Sequence, residues 1–265
     1  MQAGGADEAQ VPDRDPDAPP LVRLELEDGV ATIVLDDPAH RNALGYDLAS
    51  ALAAAVHDAE QAGAGAIVLT ATPPIFCAGG SIDDLLAPKV PLRETYVGFQ
   101  ALAAAAVPTI AAVNGPAIGA GVNLPLACDV VVCTPEARFD PRFLDVGIAP
   151  GGGHLWRLSR RIGTQGAAAL VLCGDDLDGR EAEQHGLAWR CVEPHELLPT
   201  ARRLAGGAVA RPRELLRRTK ELLRTSVGLP SADEAFEAEL ALQDWSMQQA
   251  EFTERVEAIR ARMRR

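Results

Sequence analysis

The chain has 265 residues, of which 48% are hydrophobic, and a formal net charge of −12. That length and apolar content suffice for one large domain with a substantial core, while the charge argues against nucleic acid or an anionic membrane surface as a main partner. No run of about 18 uninterrupted apolar residues occurs, which argues against a membrane span.

Residues 1–20, MQAGGADEAQVPDRDPDAPP, lack the basic start and apolar stretch of a secretory signal and predict a disordered leader. LVRLELE (21–27) and VATIVLD (30–36) flank Asp28-Gly29 and predict a hairpin. Tyr46 to Gln61 has helical periodicity, with Leu48, Leu52, Ala55 and Val56 on one face. AIVLTA (66–71) reads as a short buried strand, 92–106 as a helix, and PTIAAVNG (108–115) and DVVVCT (129–134) as further strands. Helices alternating with short apolar runs mark an α/β fold. From Pro194 onward the pattern is nearly all helical. Its last run, from Ala232, is too apolar for a solvated tail and is expected to pack on the main domain or on a neighbouring subunit. The five cysteines, Cys77, Cys128, Cys133, Cys173 and Cys191, lack CxxC spacing and predict buried reduced thiols in a cytoplasmic protein, with no metal or disulfide framework.

Two glycine-rich stretches, FCAGG (76–80) and AIGAGVNL (117–124), follow β-rich runs. Bare backbone of this kind lets a ligand reach main-chain N–H groups, and a helix opening there favours negative charge. Two such N–H groups converging on one oxygen would form an oxyanion hole. Taken singly, each stretch reads more simply as a tight turn, and neither has the spacing of a P-loop or dinucleotide fingerprint.

The ordered combination RNAL (41–44), IVLTA…FCAGGSIDDL (67–85), PTIAAVNGPAIGAGVNLPLACDVVV (108–132) and ARF…VGIAPGGG (137–153) resembles the crotonase superfamily, the enoyl-CoA hydratase/isomerase proteins. The resemblance implies an α/β spiral of ββα units over 21–195 and a helical trimerisation region over 196–265. It implies assembly as a homotrimer or a dimer of trimers. It also implies an acyl-CoA thioester as partner, with CoA part of the substrate and no further cofactor. The thioester oxygen would lie between the N–H groups of Gly80 and Ala120. Arg41 would meet a CoA phosphate or remain a solvated turn arginine, and Ala43, Ala78 and Ile82 would lie along the adenine and pantetheine. Ser81 stands where the family motif has Asp, an exchange that loses a charge and keeps a capping group.

Hydratases of this family use two glutamates, one to activate water and one to move a proton. By motif alignment those positions hold Asn123 and Phe143 here, and the aspartate position of dehalogenase-like members is Gly151. Asparagine can hold a water or substrate atom but transfers no proton at ordinary pH. Phe143 suggests an apolar acyl pocket. His154, directly after PGGG, is either a general base or a histidine packed at a helix start against Trp156. Asp140, Arg142 and Asp145 form a local charge network or a structural ion pair, and Asp83 or Asp84 could face the pocket from a helix start. Three readings stand: an acyl-CoA enzyme with non-standard acid–base residues, a catalytically silent acyl-CoA-binding protein, and a structural subunit. Retention of both bare donor positions favours the first. Hydration, isomerisation, hydrolysis and C–C cleavage all stay open.

Overall fold

The computed structural model describes residues 19–264, and the expected leader falls outside them except for Pro19 and Pro20. Strands β1 (Val22–Glu27) and β2 (Val30–Leu35) form the expected hairpin, with Asp28 and Gly29 at φ of 50° and 77°. Two positive-φ residues match the right-handed twist of the flanking strands. Then follow α1 (Tyr46–Gln61), β3 (Ala66–Ala71), α2 (Ile82–Leu86), α3 (Val97–Ala104), β4 (Thr109–Val113), β5 (Pro116–Ile118) and α4 (Asn123–Ala127). The middle of the chain supplies β6 (Val130–Cys133), β7 (Arg138–Asp140), α5 (His154–Leu172), β8 (Leu177–Asp178), α6 (Gly179–Gln184) and β9 (Arg190–Cys191). Four helices end it: α7 (Leu197–Val209), α8 (Arg213–Ser226), α9 (Ala232–Met247) and α10 (Ala250–Met263).

The main sheet runs β1-β2-β3-β4-β6-β9 and is parallel apart from the hairpin. Every residue of β2, β3 and β4 is buried, as a parallel sheet covered on both faces requires. Alternate side chains divide between two cores. Ile33, Leu35, Ile67, Leu69 and Val113 join Leu48, Leu52 and Phe99 on one face. Val30, Val68, Ile110 and Val132 meet Leu197, Ala201 and Ala205 of α7 on the other. A small sheet, β5-β7-β8, stands apart. Its strands, like β9, are two or three residues long, too short to carry a periodicity in the sequence. The helix expected over 92–106 splits into a 3-10 turn, Leu92–Tyr96, and α3.

Helix α8 is tied to the sheet by Lys220, which is only 7% exposed. Its ammonium pairs with Asp129 at 2.6 Å and bonds the Val107 carbonyl. Asp129 also accepts from the Thr109 N–H at 2.8 Å and pairs with Arg224 at 3.3 Å. Removing one partner leaves a buried charge uncompensated, so Asp129→Ala is expected to cost about 3–5 kcal/mol in a urea titration. Lys220→Met should cost less, because Asp129 keeps Thr109 and Arg224.

Helices α9 and α10 bury no residue in the single chain. Phe236, Leu240, Phe252, Val256 and Ile259 stay exposed, so of the two expected arrangements packing on the chain's own main domain is not found. The long final run is also two helices, parted at Gln248-Gln249. Cys77, Cys128 and Cys133 are buried, with burial pushing the thiols of Cys77 and Cys128 up to about 12. Cys173 corrects the cysteine expectation: it lies exposed at the end of α5. No helix among the described residues is long and apolar enough to cross a membrane.

Candidate active site

Three loops are laced side by side through main-chain bonds. The Leu44 N–H donates to the Gly79 carbonyl at 2.6 Å and the Ser81 N–H to the Leu44 carbonyl at 3.0 Å. This parallel bridge uses the groups flanking Gly80, so the Gly80 N–H points to the opposite edge. A second bridge joins Cys77 to Ala117, through Cys77 N–H to Pro116 carbonyl (3.1 Å) and Ile118 N–H to Cys77 carbonyl (2.9 Å). Gly79, at φ 101°, lies so close to the second loop that a Cβ there would fall 2.7 Å from the Ile118 carbonyl oxygen and 3.7 Å from the Ala120 nitrogen. Ala120 is the second residue of a 3-10 turn, Gly119–Val122, where an N–H has no acceptor within the helix. Gly80 and Ala120 are thus brought together.

The RNAL segment runs along the same edge, with the Ala78 N–H on the Arg41 carbonyl at 3.0 Å. Arg41 is exposed, Ala43 and Ala78 are half-buried, and Ile82 is exposed. What holds RNAL in place is Asn42, a residue the sequence reading passed over. It is fully buried at φ 53°, accepts from the Asp37 N–H at 2.8 Å and donates to the Thr72 and Ile75 carbonyls. An Asn directly before an apolar pair in a turn is the one signal that could have found it, since Asn tolerates the left-handed region. Ser81 caps α2 by accepting from the Asp84 N–H. Asp84 in turn accepts from the Tyr46 N–H at 3.1 Å, which corrects the idea that it faces the pocket; Asp83 is exposed.

Below the loops, Asn123 and His154 meet. Asn123 is fully buried at the start of α4, and His154, 1% exposed, opens α5. Asn123 Nδ2 donates to the Gly151 carbonyl at 3.2 Å, and Oδ1 lies 2.9 Å from His154 Nδ1. That arrangement requires the imidazole proton on Nδ1 and leaves Nε2 a bare lone pair. Nε2 is buried without a hydrogen-bond partner among the described residues. Burial, aided by the Arg157 charge, pulls the imidazole down to about 4, so it is neutral near pH 7. Arg157 itself bonds the Gly152 carbonyl at 2.6 Å.

His154 does not pack on Trp156, which is 61% exposed beneath the Arg160 guanidinium. Its neighbour is Phe143, edge-on at 4.9 Å between ring centroids and itself buried. Asp140 and Arg142 prove to be an ion pair, extended through Arg138 to Asp176, that braces β7 against the residues before β8. Asp145 lies exposed in the following turn.

The family model "Enoyl-CoA hydratase/isomerase" matches residues 25–262. The chain is 39% identical over 252 residues to a Mycobacterium tuberculosis protein named "Probable enoyl-CoA hydratase EchA14", covering 91% of this chain and 98% of the relative. It is 35% identical over 244 residues to a "Probable enoyl-CoA hydratase" of Rhodobacter capsulatus, covering 90% and 94%. Crystal structures of enoyl-CoA hydratases from Mycobacterium smegmatis and Polaromonas sp. JS666 superpose with TM-scores of 0.84, each at 28% identity. They cover 92% and 91% of this chain and 97% of each of theirs. Sequence order, fold and these likenesses agree, and the chain belongs to the enoyl-CoA hydratase/isomerase family of the crotonase superfamily.

Proposed function

We propose that the protein is an acyl-CoA enzyme that adds water to a 2-enoyl-CoA thioester, or reverses that addition, with one neutral imidazole in place of the usual carboxylate pair. The thioester oxygen sits between the N–H groups of Gly80 and Ala120, which stabilise the charge that develops there. His154 Nε2 takes a proton from water as its oxygen bonds to C3, and the electron pair of the C2–C3 double bond moves through C2 onto the thioester oxygen. The imidazolium then returns the proton to C2, so that one water is added and the histidine ends neutral. Asn123 is a positioning residue in this scheme: it fixes the tautomer that leaves the Nε2 lone pair free to accept a proton. Phe143 walls the acyl side, and Arg41, Ala43, Ala78 and Ile82 line the CoA moiety. The exposed apolar residues of α9 and α10 fit a contact between subunits, in keeping with a homotrimer or dimer of trimers.

The observation that carries this reading is the buried, unpartnered Nε2 of His154 beside Asn123. A buried lone pair without a partner costs free energy, and a ligand that supplies a proton offsets that cost. One observation favours the alternative of a catalytically silent acyl-CoA-binding protein: at 1% exposure behind Phe143, His154 is nearly closed off. Incubating the purified protein with short- and medium-chain 2-enoyl-CoA esters, with products identified by mass spectrometry, separates the two. The expected product is the 3-hydroxyacyl-CoA. Tight binding with no product would establish the silent binder.

A further inference from the structure

Tyr96 ends the 3-10 turn Leu92–Tyr96, and its phenol lies against Gly151. Its ring packs on Phe99 at 5.2 Å between centroids, and its hydroxyl occupies the space that a side chain on Gly151 would need. A Cβ built on Gly151 would clash with the hydroxyl oxygen and lie 3.3 Å from Cζ, so position 151 must stay bare for the phenol to sit there. The hydroxyl has no hydrogen-bond partner among the described residues. Tyr96 is half-buried, and that burial raises its pKa, so the group stays protonated and keeps a donor to offer.

Gly151 is where the donors and acceptors of the site meet. Its carbonyl accepts from Asn123 Nδ2 and from the His154 N–H (3.3 Å), while its α-carbon lies against the Tyr96 hydroxyl. The His154 lone pair can only accept a hydrogen bond and the Tyr96 O–H is free to give one. A water or hydroxyl oxygen is both donor and acceptor, and needs a partner of each kind. We infer that the Tyr96 hydroxyl donates to the oxygen on C3 of the acyl chain, so that the site selects acyl-CoA thioesters oxygenated at C3 over those with a plain hydrocarbon chain. This rests on the acyl-CoA reading above, which places that oxygen at C3.

The test is binding rather than turnover, so that it does not depend on catalysis. Dissociation constants of butyryl-CoA, 3-hydroxybutyryl-CoA and free CoA are measured by titration calorimetry for the full-length protein and for Tyr96→Phe, which keeps the ring and its packing. The expected result is a preference of about five- to tenfold for the 3-hydroxy ester in the unaltered protein, the scale of one net hydrogen bond. In Tyr96→Phe that preference should vanish while butyryl-CoA binds within about twofold of before. Gly151→Ala, which displaces the hydroxyl without removing it, should lose the preference too. Equal affinity for both esters in the unaltered protein, or a preference that survives in Tyr96→Phe, overturns the role of Tyr96 and leaves the acyl-CoA reading standing. Failure of every CoA compound to bind overturns both.

Discussion

Replacing His154 by glutamine should lower kcat on a 2-enoyl-CoA ester by about 10²- to 10⁴-fold, the range a positioned general base contributes. Glutamine keeps a polar group near Asn123 but cannot carry a proton between water and C2. Two pH readouts separate this role from mere packing. Because the imidazole is pulled down to about 4, the acid limb of kcat/KM should fall near pH 4 and not near the ordinary histidine value of 6.5. The second readout is stability. Between pH 6.5 and 4 the unfolded chain binds a proton at this histidine that the folded chain refuses, so stability is full above 6.5 and declines as pH falls through that window. The loss should approach about 3 kcal/mol at the lower end, and it should be missing in the glutamine variant. An unchanged kcat in His154→Gln, with only the stability slope altered, would leave His154 as a core residue and no more.

A single methyl group added at Gly121 should be nearly as damaging to turnover. Its Cβ would lie 2.5 Å from the Cys77 carbonyl oxygen and 3.0 Å from the Cys77 Cβ and sulfur. Those atoms belong to the bridge that holds the two donor loops together, so the only relief is to move the loops apart. Under the proposed function, spreading them would pull one N–H away from the thioester oxygen, and losing one such donor typically costs about 10²- to 10³-fold in kcat. Overpacking should also lower stability by about 1–3 kcal/mol. The check is a kinetic comparison of Gly121→Ala with the unaltered protein, alongside a thermal melt. Full activity in a destabilised variant would show that the spacing of the two loops does not govern catalysis.

Much of this architecture could be read from residues alone, for identifiable reasons. The hairpin at Asp28-Gly29, α1 and strands β2 to β4 follow from strong local patterns, and those patterns agree with the tertiary fold. Gly80 and Ala120 were named only through the family resemblance, because each glycine-rich stretch taken singly reads as an ordinary tight turn. What stayed hidden depends on distant contacts. Nothing in the sequence joins Tyr96 to Gly151, 55 positions later, or shows that Asp84 is spent on the start of α1. His154 was visible as a candidate but its neighbour was not: Phe143, eleven residues earlier, covers it instead of Trp156 two residues later. At a helix start the chain turns sharply, so near neighbours in sequence can point to solvent while a residue from the preceding loop folds over.

The lacing of residues 41–44, 77–81 and 116–118 is made from main-chain groups alone, without a side chain at any of its bonds. Apart from the bare positions Gly79 and Gly121 and the buried Asn42, side chains around such a scaffold can be exchanged while the spacing of the loops stays the same. Over evolutionary time that separates two kinds of change. Under the proposed function, polarising the thioester would rest on this backbone shape, while the proton-moving group would be a side chain that can change separately from it.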